Sequence, residues 1–515
     1  MKFAALAKLS LIVVLTFAGF SIGHGAEALG QFDGQTDIGT PKLAGSGTYD
    51  SATQEYTLSG AGTNMWFGAD EFHFVWKKMK GDFILRTRTE FVGKGAVAHR
   101  KIGWMVRPNL EPDAPYADCA QHGDGLCSLQ FRPTKGTNTD QVRLPITNAN
   151  VLQFERKGTT FIFSGAHAGE PFVSCELTNP DLGDEVYAGL FICSHTPDVV
   201  EKAIFRDVRI IRPAKTGFVP YRDFIGSVLE IFDIDSGKSA AIYQSAEPFE
   251  APNWTRDGGA VIYNISGRGE GWGRLARFDL VTRKVDLIDT GSATRNNNDH
   301  VLSFDGKRLG ISDQSASHGG QSQIFILSAE GGTPKQITSL APSYLHGWSP
   351  DGKFLVYTGG RKSKFDIYKI SVSGGEEVRL TNSDGLNDGP EYTPDGRFIY
   401  FNSSRKGRMQ LWRMHPDGTS QEQVTDDQFN NWFPHISPDG KWIAFISFST
   451  EVTPTDHPYY KQVYLRMMPL GVGVPMEVSA PKVIAYVYGG QGTMNVPSWS
   501  PDGKRLAFVS NSNLD

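Results

Sequence analysis

Along residues 226–515 apolar and polar positions alternate in short runs, and a turn of one kind breaks them at regular intervals. It recurs as TRDG (255–258), SFDG (303–306), SPDG (349–352), TPDG (393–396), SPDG (437–440) and SPDG (500–503). Asp-Gly between two apolar runs predicts a hairpin, because the central turn positions need the positive φ that glycine adopts cheaply. Between these hairpins lies a second unit, two runs around a Gly-containing turn, as in DIYKISVSGGEEVRLT and QVYLRMMPLGVGVPMEV; a further copy (228–243) precedes the first hairpin. With the hairpin strands named A and B and the second pair C and D, the chain reads CD, then ABCD five times, then a final AB. Four-strand units of this length bury their faces only against neighbours. The pattern therefore predicts a six-bladed β-propeller over 226–515. It would be closed by strand exchange between the leading CD and the trailing AB, which removes two exposed sheet edges.

Residues 30–213 alternate in period two as well, without the repeat. FHFVWKKMKGDFILRTRTEF, IGWMVRP, CSLQFRP, VLQFERKGTTFIFSG and AIFRDVRIIRP follow one another at short spacing. Short alternating strands with turn signals between them predict a β-sandwich. The Pro- and Gly-containing stretch 214–225 reads as a linker. The expected fold is all-β in two domains.

Composition agrees: 57 Gly and 28 Pro suit turns between strands. A net charge of −5 over 515 residues, with no basic block, gives no footprint for nucleic acid. Lys2 and Lys8 precede LSLIVVLTFAGF, and Ala26-Glu27-Ala28 offers a small-x-small cleavage site. This reads as a signal peptide over 1–28, too short to span a bilayer, so the expectation is a periplasmic or secreted protein with no membrane span. The cysteines are Cys119, Cys127, Cys175 and Cys193. An oxidising compartment permits a Cys119–Cys127 bridge across a hairpin, and buried thiols are the alternative.

Two resemblances rest on these segments. FHFVWKKMKGDF with RKIGWMVRPNLEPDAPYADCAQHGDGLCSLQFR resembles the concanavalin-like jelly-roll domains of bacterial carbohydrate-active proteins, which implies a jelly-roll sandwich and a sugar-associated setting. There Trp66, Phe67 and Trp76 are candidate stacking rings. The SPDGK repeats resemble the six-bladed propellers of the TolB family, which implies an envelope protein partner. TolB proteins carry a mixed α/β domain ahead of the propeller, whereas a sandwich stands there in this chain. Prolyl-oligopeptidase relatives use similar blades, but no G-x-S-x-G nucleophile elbow occurs in the sequence, which excludes that peptidase chemistry.

Histidines supply the candidate chemistry. His300 and His346 stand five residues before their turn aspartate and His435 four, so all three head an A strand, while His318 and His457 fall in B–C connections on the same face. The same connections carry Arg295, Asn297 and Asp299 in TRNNNDH, Asn387 and Asp388 in GLNDGP, and Asn431 and Trp432 in FNNWFPH. Gln491 and Asn495 stand in YGGQGTMN and Tyr460 beside His457, while Arg361 and Arg405 follow strand B in neighbouring blades. Asn, Asp and His bind hydroxyls and aromatic rings bind the apolar face of a sugar. Arginine holds a carboxylate. A structural reading stands beside this one, since strand heads need polar side chains for their free backbone groups.

The propeller is also similar to that of oligogalacturonate lyases, in which clustered histidines hold a divalent metal. By that resemblance His300, His346 and His435 would hold one ion, Mn, Zn or Ca. The expectation is a protein binding an oligosaccharide or polysaccharide, acidic if the arginines take part, at the propeller mouth. Lyase or hydrolase chemistry there would use His346 and His435 as acid and base, with Arg361 or Arg405 on a carboxylate. The alternative is a non-catalytic envelope protein that uses the propeller for docking.

Overall fold

The computed structural model describes residues 29–514 apart from 179, 220–221, 268–271, 317–318 and 471–479. The proposed export signal and His318 lie outside the described residues.

The N-terminal half folds as two seven-stranded antiparallel sheets. One is centred on Lys101–Arg107 and the other on Phe83–Val92, which pairs with both Val151–Lys157 and the long strand Thr196–Ile211. Period-two alternation turns Val75, Trp104, Leu85 and Phe154 inward, and these form one buried cluster with Phe163 and Leu190. All four cysteines are free thiols. In the hairpin of Tyr116–His122 and Cys127–Arg132, Cys119 faces Leu129 and Cys127 faces Gln121, so the two cysteines are not opposite one another. Of the candidate sugar-stacking rings, Phe67 is 62% exposed, while Trp76 is partly buried with its ring edge-on to Tyr187.

The C-terminal half forms six sheets in chain order, five of four strands and one of three. The SPDG turns hold together through one bonding pattern. Ser349 Oγ donates to Asp351 Oδ1 at 2.6 Å and accepts from Phe354 N at 2.9 Å, while Gly352 takes φ +68°. Ser437 with Asp439 and Ser500 with Asp502 repeat these contacts. Each turn thus satisfies its own backbone, which is why serine or threonine opens all six. The three-stranded sheet joins the two ends of the repeat: Ser227–Asp233 pairs antiparallel with Arg505–Asn511, from Ser227 opposite Asn511 to Asp233 opposite Arg505. An isolated bridge between Trp499 and Leu506 marks where its innermost strand would lie.

One strand departs from the sequence pattern. Beyond the unit QVYLRMMPLGVGVPMEV, Lys482–Gly489 forms the outer strand of the fifth blade, paired along its length with Lys461–Pro469. That strand and the joining sheet carry the two-sheet N-terminal half. The Phe172 ring lies 4.4 Å from that of Tyr486, Tyr464 Oη accepts from Phe172 N at 3.1 Å, and Tyr486 Oη donates to Glu170 O at 2.6 Å. Gln54 exchanges two hydrogen bonds with the backbone of Ala241, and Arg209 places two on Glu230. The connecting segment packs too, with Phe218 edge-on to Tyr460.

Candidate functional site

The heads of the A strands and the B–C connections surround a cavity of about 610 Å³. Its register follows from the repeat. Glu250, Asn298, Tyr344, Asp388 and Asn495 all line it, and each stands seven residues before the turn aspartate of its blade. Phe224 of the connecting segment, and Tyr459 and His457 of the fifth blade's B–C connection, complete the wall.

Three carboxylates face this space. Asp388 Oδ1 lies 3.3 Å from His346 Nε2, and Thr358 Oγ1 donates to the same oxygen at 2.6 Å. Burial pushes Asp388 up, but the bond to His346 and its charge hold the carboxyl below its ordinary value. Burial likewise lowers His346, and Asp388 together with Asp299 more than restores it, so the imidazole stays protonated above its usual range. Asp299 accepts from Asn495 Nδ2 at 2.7 Å and from Asn297 Nδ2 at 2.8 Å, yet burial raises it to about 6. Glu250 accepts from Tyr459 Oη at 3.0 Å and Asn298 Nδ2 at 3.3 Å, and burial raises it to about 7. Asn296 lines the same cavity, is 2% exposed, and has an Oδ1 without a hydrogen-bond partner among the described residues. Among the described residues no lysine or arginine lines this cavity. The cavity therefore sets carboxylates among neutral amides and hydroxyls, with Tyr344, Phe365 and Phe433 as ring walls.

Of the residues expected from sequence, this cavity brings together His346, Asn297, Asp299, Asp388, His457, Gln491 and Asn495. Others lie elsewhere. Arg361 places its guanidinium on both oxygens of Glu377 at 2.8 Å, and Arg405 bonds Gln421 at 2.6 Å and Asn387 at 2.8 Å while stacking on Trp412. Both arginines are spent inside the blades. Asn387 donates to Asp366 of the preceding blade at 3.1 Å, and Asn431 to Gln410 of its own preceding blade at 3.1 Å, so the pair pins blade to blade. Trp432 is fully buried, with its ring edge-on to His457. Tyr460 is buried and accepts from Ile225 N at 3.2 Å, and Arg295 sits over the Trp272 ring at the rim.

The three histidines expected to share a metal are held apart by separate partners. His300 is fully buried, with Nε2 3.4 Å from Ile262 O, and burial lowers it to about 4. His435 Nδ1 lies 2.6 Å from Glu391 Oε2 and Nε2 lies 3.3 Å from Met494 O. Among the described residues no group of three or more His, Cys, Asp or Glu side chains is placed to hold a metal ion. Sequence reading missed Glu250, Tyr344 and Tyr459. The signal for the first two was the position seven before the turn aspartate, applied to every blade whatever the residue type.

A ring of six sheets around a polar mouth defines the class: a six-bladed β-propeller with a ligand-sized cavity at its A-strand heads. The family model described as the TolB beta propeller domain matches residues 341–455. An uncharacterised protein of Agrobacterium fabrum, Atu1656, is 45% identical over 284 residues, which is 55% of this chain and 92% of that protein. A solved structure from Agrobacterium tumefaciens, assigned provisionally as TolB, is 44% identical with a TM-score of 0.51 and covers 56% of this chain and 99% of that one. TolB from Acinetobacter baumannii is 16% identical at a TM-score of 0.39, over 52% of this chain and 64% of that one, and carries no argument. The chain belongs to the family of TolB-like β-propeller proteins.

Proposed function

We propose that this is a non-catalytic TolB-like protein of the cell envelope whose propeller mouth receives a cationic, donor-rich group of a partner protein. One observation supports the reading above all: a cavity walled by three carboxylates and an unpartnered amide oxygen, with no lysine or arginine among the described residues of its lining. A lysine or arginine side chain, or a free N-terminus, supplies a positive charge for the carboxylates, and the aromatic walls favour such a cation further. The reading includes a periplasmic or secreted location after removal of residues 1–28, a jelly-roll fold for the two-sheet half, and strand exchange as the closure of the ring. A neutral glycan is the second reading, favoured by Asn297 and Asn298 beside Tyr344 and Phe365. An acidic glycan loses its support, since Arg361 and Arg405 are committed to other partners.

The test titrates the full chain with four probes: a lysine-bearing hexapeptide, its acetyl-lysine counterpart, trigalacturonate and cellotriose. The expected outcome is binding of the lysine peptide alone, weakened by Asp388→Asn and Asp299→Asn and untouched by Arg361→Ala. Binding of cellotriose instead would favour the glycan reading. Trigalacturonate binding that Arg361→Ala abolishes would restore the acidic one.

A further inference from the structure

A second cavity, of about 220 Å³, lies where the sandwich meets the propeller. Its charge is the reverse of the mouth's. Arg86, Arg88, Arg209 and Lys482 line it, against two carboxylates, Asp207 and Glu230. Both carboxylates are already engaged. Glu230 takes two bonds from Arg209 and one from Ser510 Oγ, and Asp207 lies 3.6 Å from Arg88 and accepts from Ser239 N. Arg86 remains without an ion pair among the described residues. Its Nη1 donates to Gln153 Oε1 at 3.4 Å, although the residue is only 5% exposed.

A guanidinium taken out of water without a counter-charge is costly, and proteins meet that cost by pairing it. Burial presses Arg86 towards losing its proton, Glu230 opposes this and Arg209 adds to it, and the pKa falls to about 10, still protonated at neutral pH. The cavity therefore holds a permanent cation that, among the described residues, has no direct ion pair. Beside the charged corner lie Thr87, Ser239 and Tyr486 and an apolar wall of Phe232, Val483, Ile484 and Phe508. A hydrated inorganic ion would waste that surface. A flat or branched organic anion fills both parts.

We infer that this interdomain cavity is a binding site for a small organic carboxylate, its head on Arg86 with Lys482 at the lip and its apolar body against Phe232 and Phe508. Because sandwich strands supply Arg86 and Arg88 while propeller strands supply Lys482 and Phe508, the ligand would tie the two halves together.

Isothermal titration calorimetry on the full chain tests this with benzoate, with benzamide as its neutral isostere, and with inorganic phosphate. Benzoate is expected to bind saturably at one site, and benzamide about tenfold or more weaker, as loss of a charge-assisted bond requires. Arg86→Gln, which keeps a polar partner for Gln153, should weaken benzoate by about tenfold or more, and Lys482→Glu at the exposed lip by a smaller factor. Equal binding of benzoate and benzamide overturns the proposal, as does phosphate binding without benzoate binding. Benzoate affinity unchanged in both variants overturns it too. Should Arg86→Gln fail to fold, Lys482→Glu decides, because its side chain is exposed and supports no core.

Discussion

His435 Nδ1 lies 2.6 Å from Glu391 Oε2, and the two residues occupy the same place in adjacent blades, four before the turn aspartate. Glu391 Oε1 also accepts from Ile436 N at 3.0 Å, so one carboxylate clasps both the side chain and the backbone of the next A strand. Both residues are largely buried, at 4% and 8% exposure. One of the three histidines expected to hold a metal is thus a rivet between blades.

His435 and His346 should therefore separate in their effects. His435→Val strands a buried carboxylate and is expected to destabilise the propeller by about 1–3 kcal/mol, read from urea unfolding, with ligand affinity at the mouth unchanged. His346→Gln is expected to alter affinity for the lysine peptide while shifting the unfolding midpoint less. Equal loss of stability in both variants would contradict this division.

Stability and mouth affinity should respond to pH with opposite signs. Glu250 titrates near 7 in the folded protein against 4.5 ordinarily, and Asp299 near 6 against 3.8. The native state thus holds protons that the unfolded chain has released, so their contribution to stability falls as pH rises from about 4 to about 7. Affinity for a cationic ligand should rise over the upper part of that window as the two carboxyls ionise, and further as His346 loses its own raised proton. Glu250→Gln should flatten the stability decline. Peptide affinity that stays constant from about pH 5 to about pH 8 would argue against carboxylates as the recognition groups.

The ends of the repeat should be jointly required. Removing residues 505–515 leaves Ser227–Asp233 without the strand that pairs with it, and buried Leu229 without its neighbours Ala507 and Val509. The expected result is loss of cooperative unfolding across the propeller, because blades are stable only against one another. A truncated chain that keeps a single sharp transition at the full-length midpoint would contradict it.

The alternation and its turns determined most of the propeller from sequence alone: six hairpins of one type, a leading half-blade and a trailing one. Such features are local, since period-two burial and Ser-x-Asp-Gly bonding need only neighbouring residues. Which side chains face the mouth was decided in three dimensions. His300 and His346 share one repeat position, yet His346 lines the cavity and His300 is fully buried. The A strands carry register shifts, between Asn296 and His300 in one blade and between Leu345 and Gly347 in the next. A single extra residue in a strand reverses the face of every side chain beyond it, so the spacing that places the position seven before the turn aspartate does not separate His300 from His346. The arginines show the same limit. Arg361 looked free in sequence, and only the fold brought Glu377, sixteen residues on, to within 2.8 Å of it. Pairing of charges is settled by packing between strands, which the order of residues along one strand does not encode.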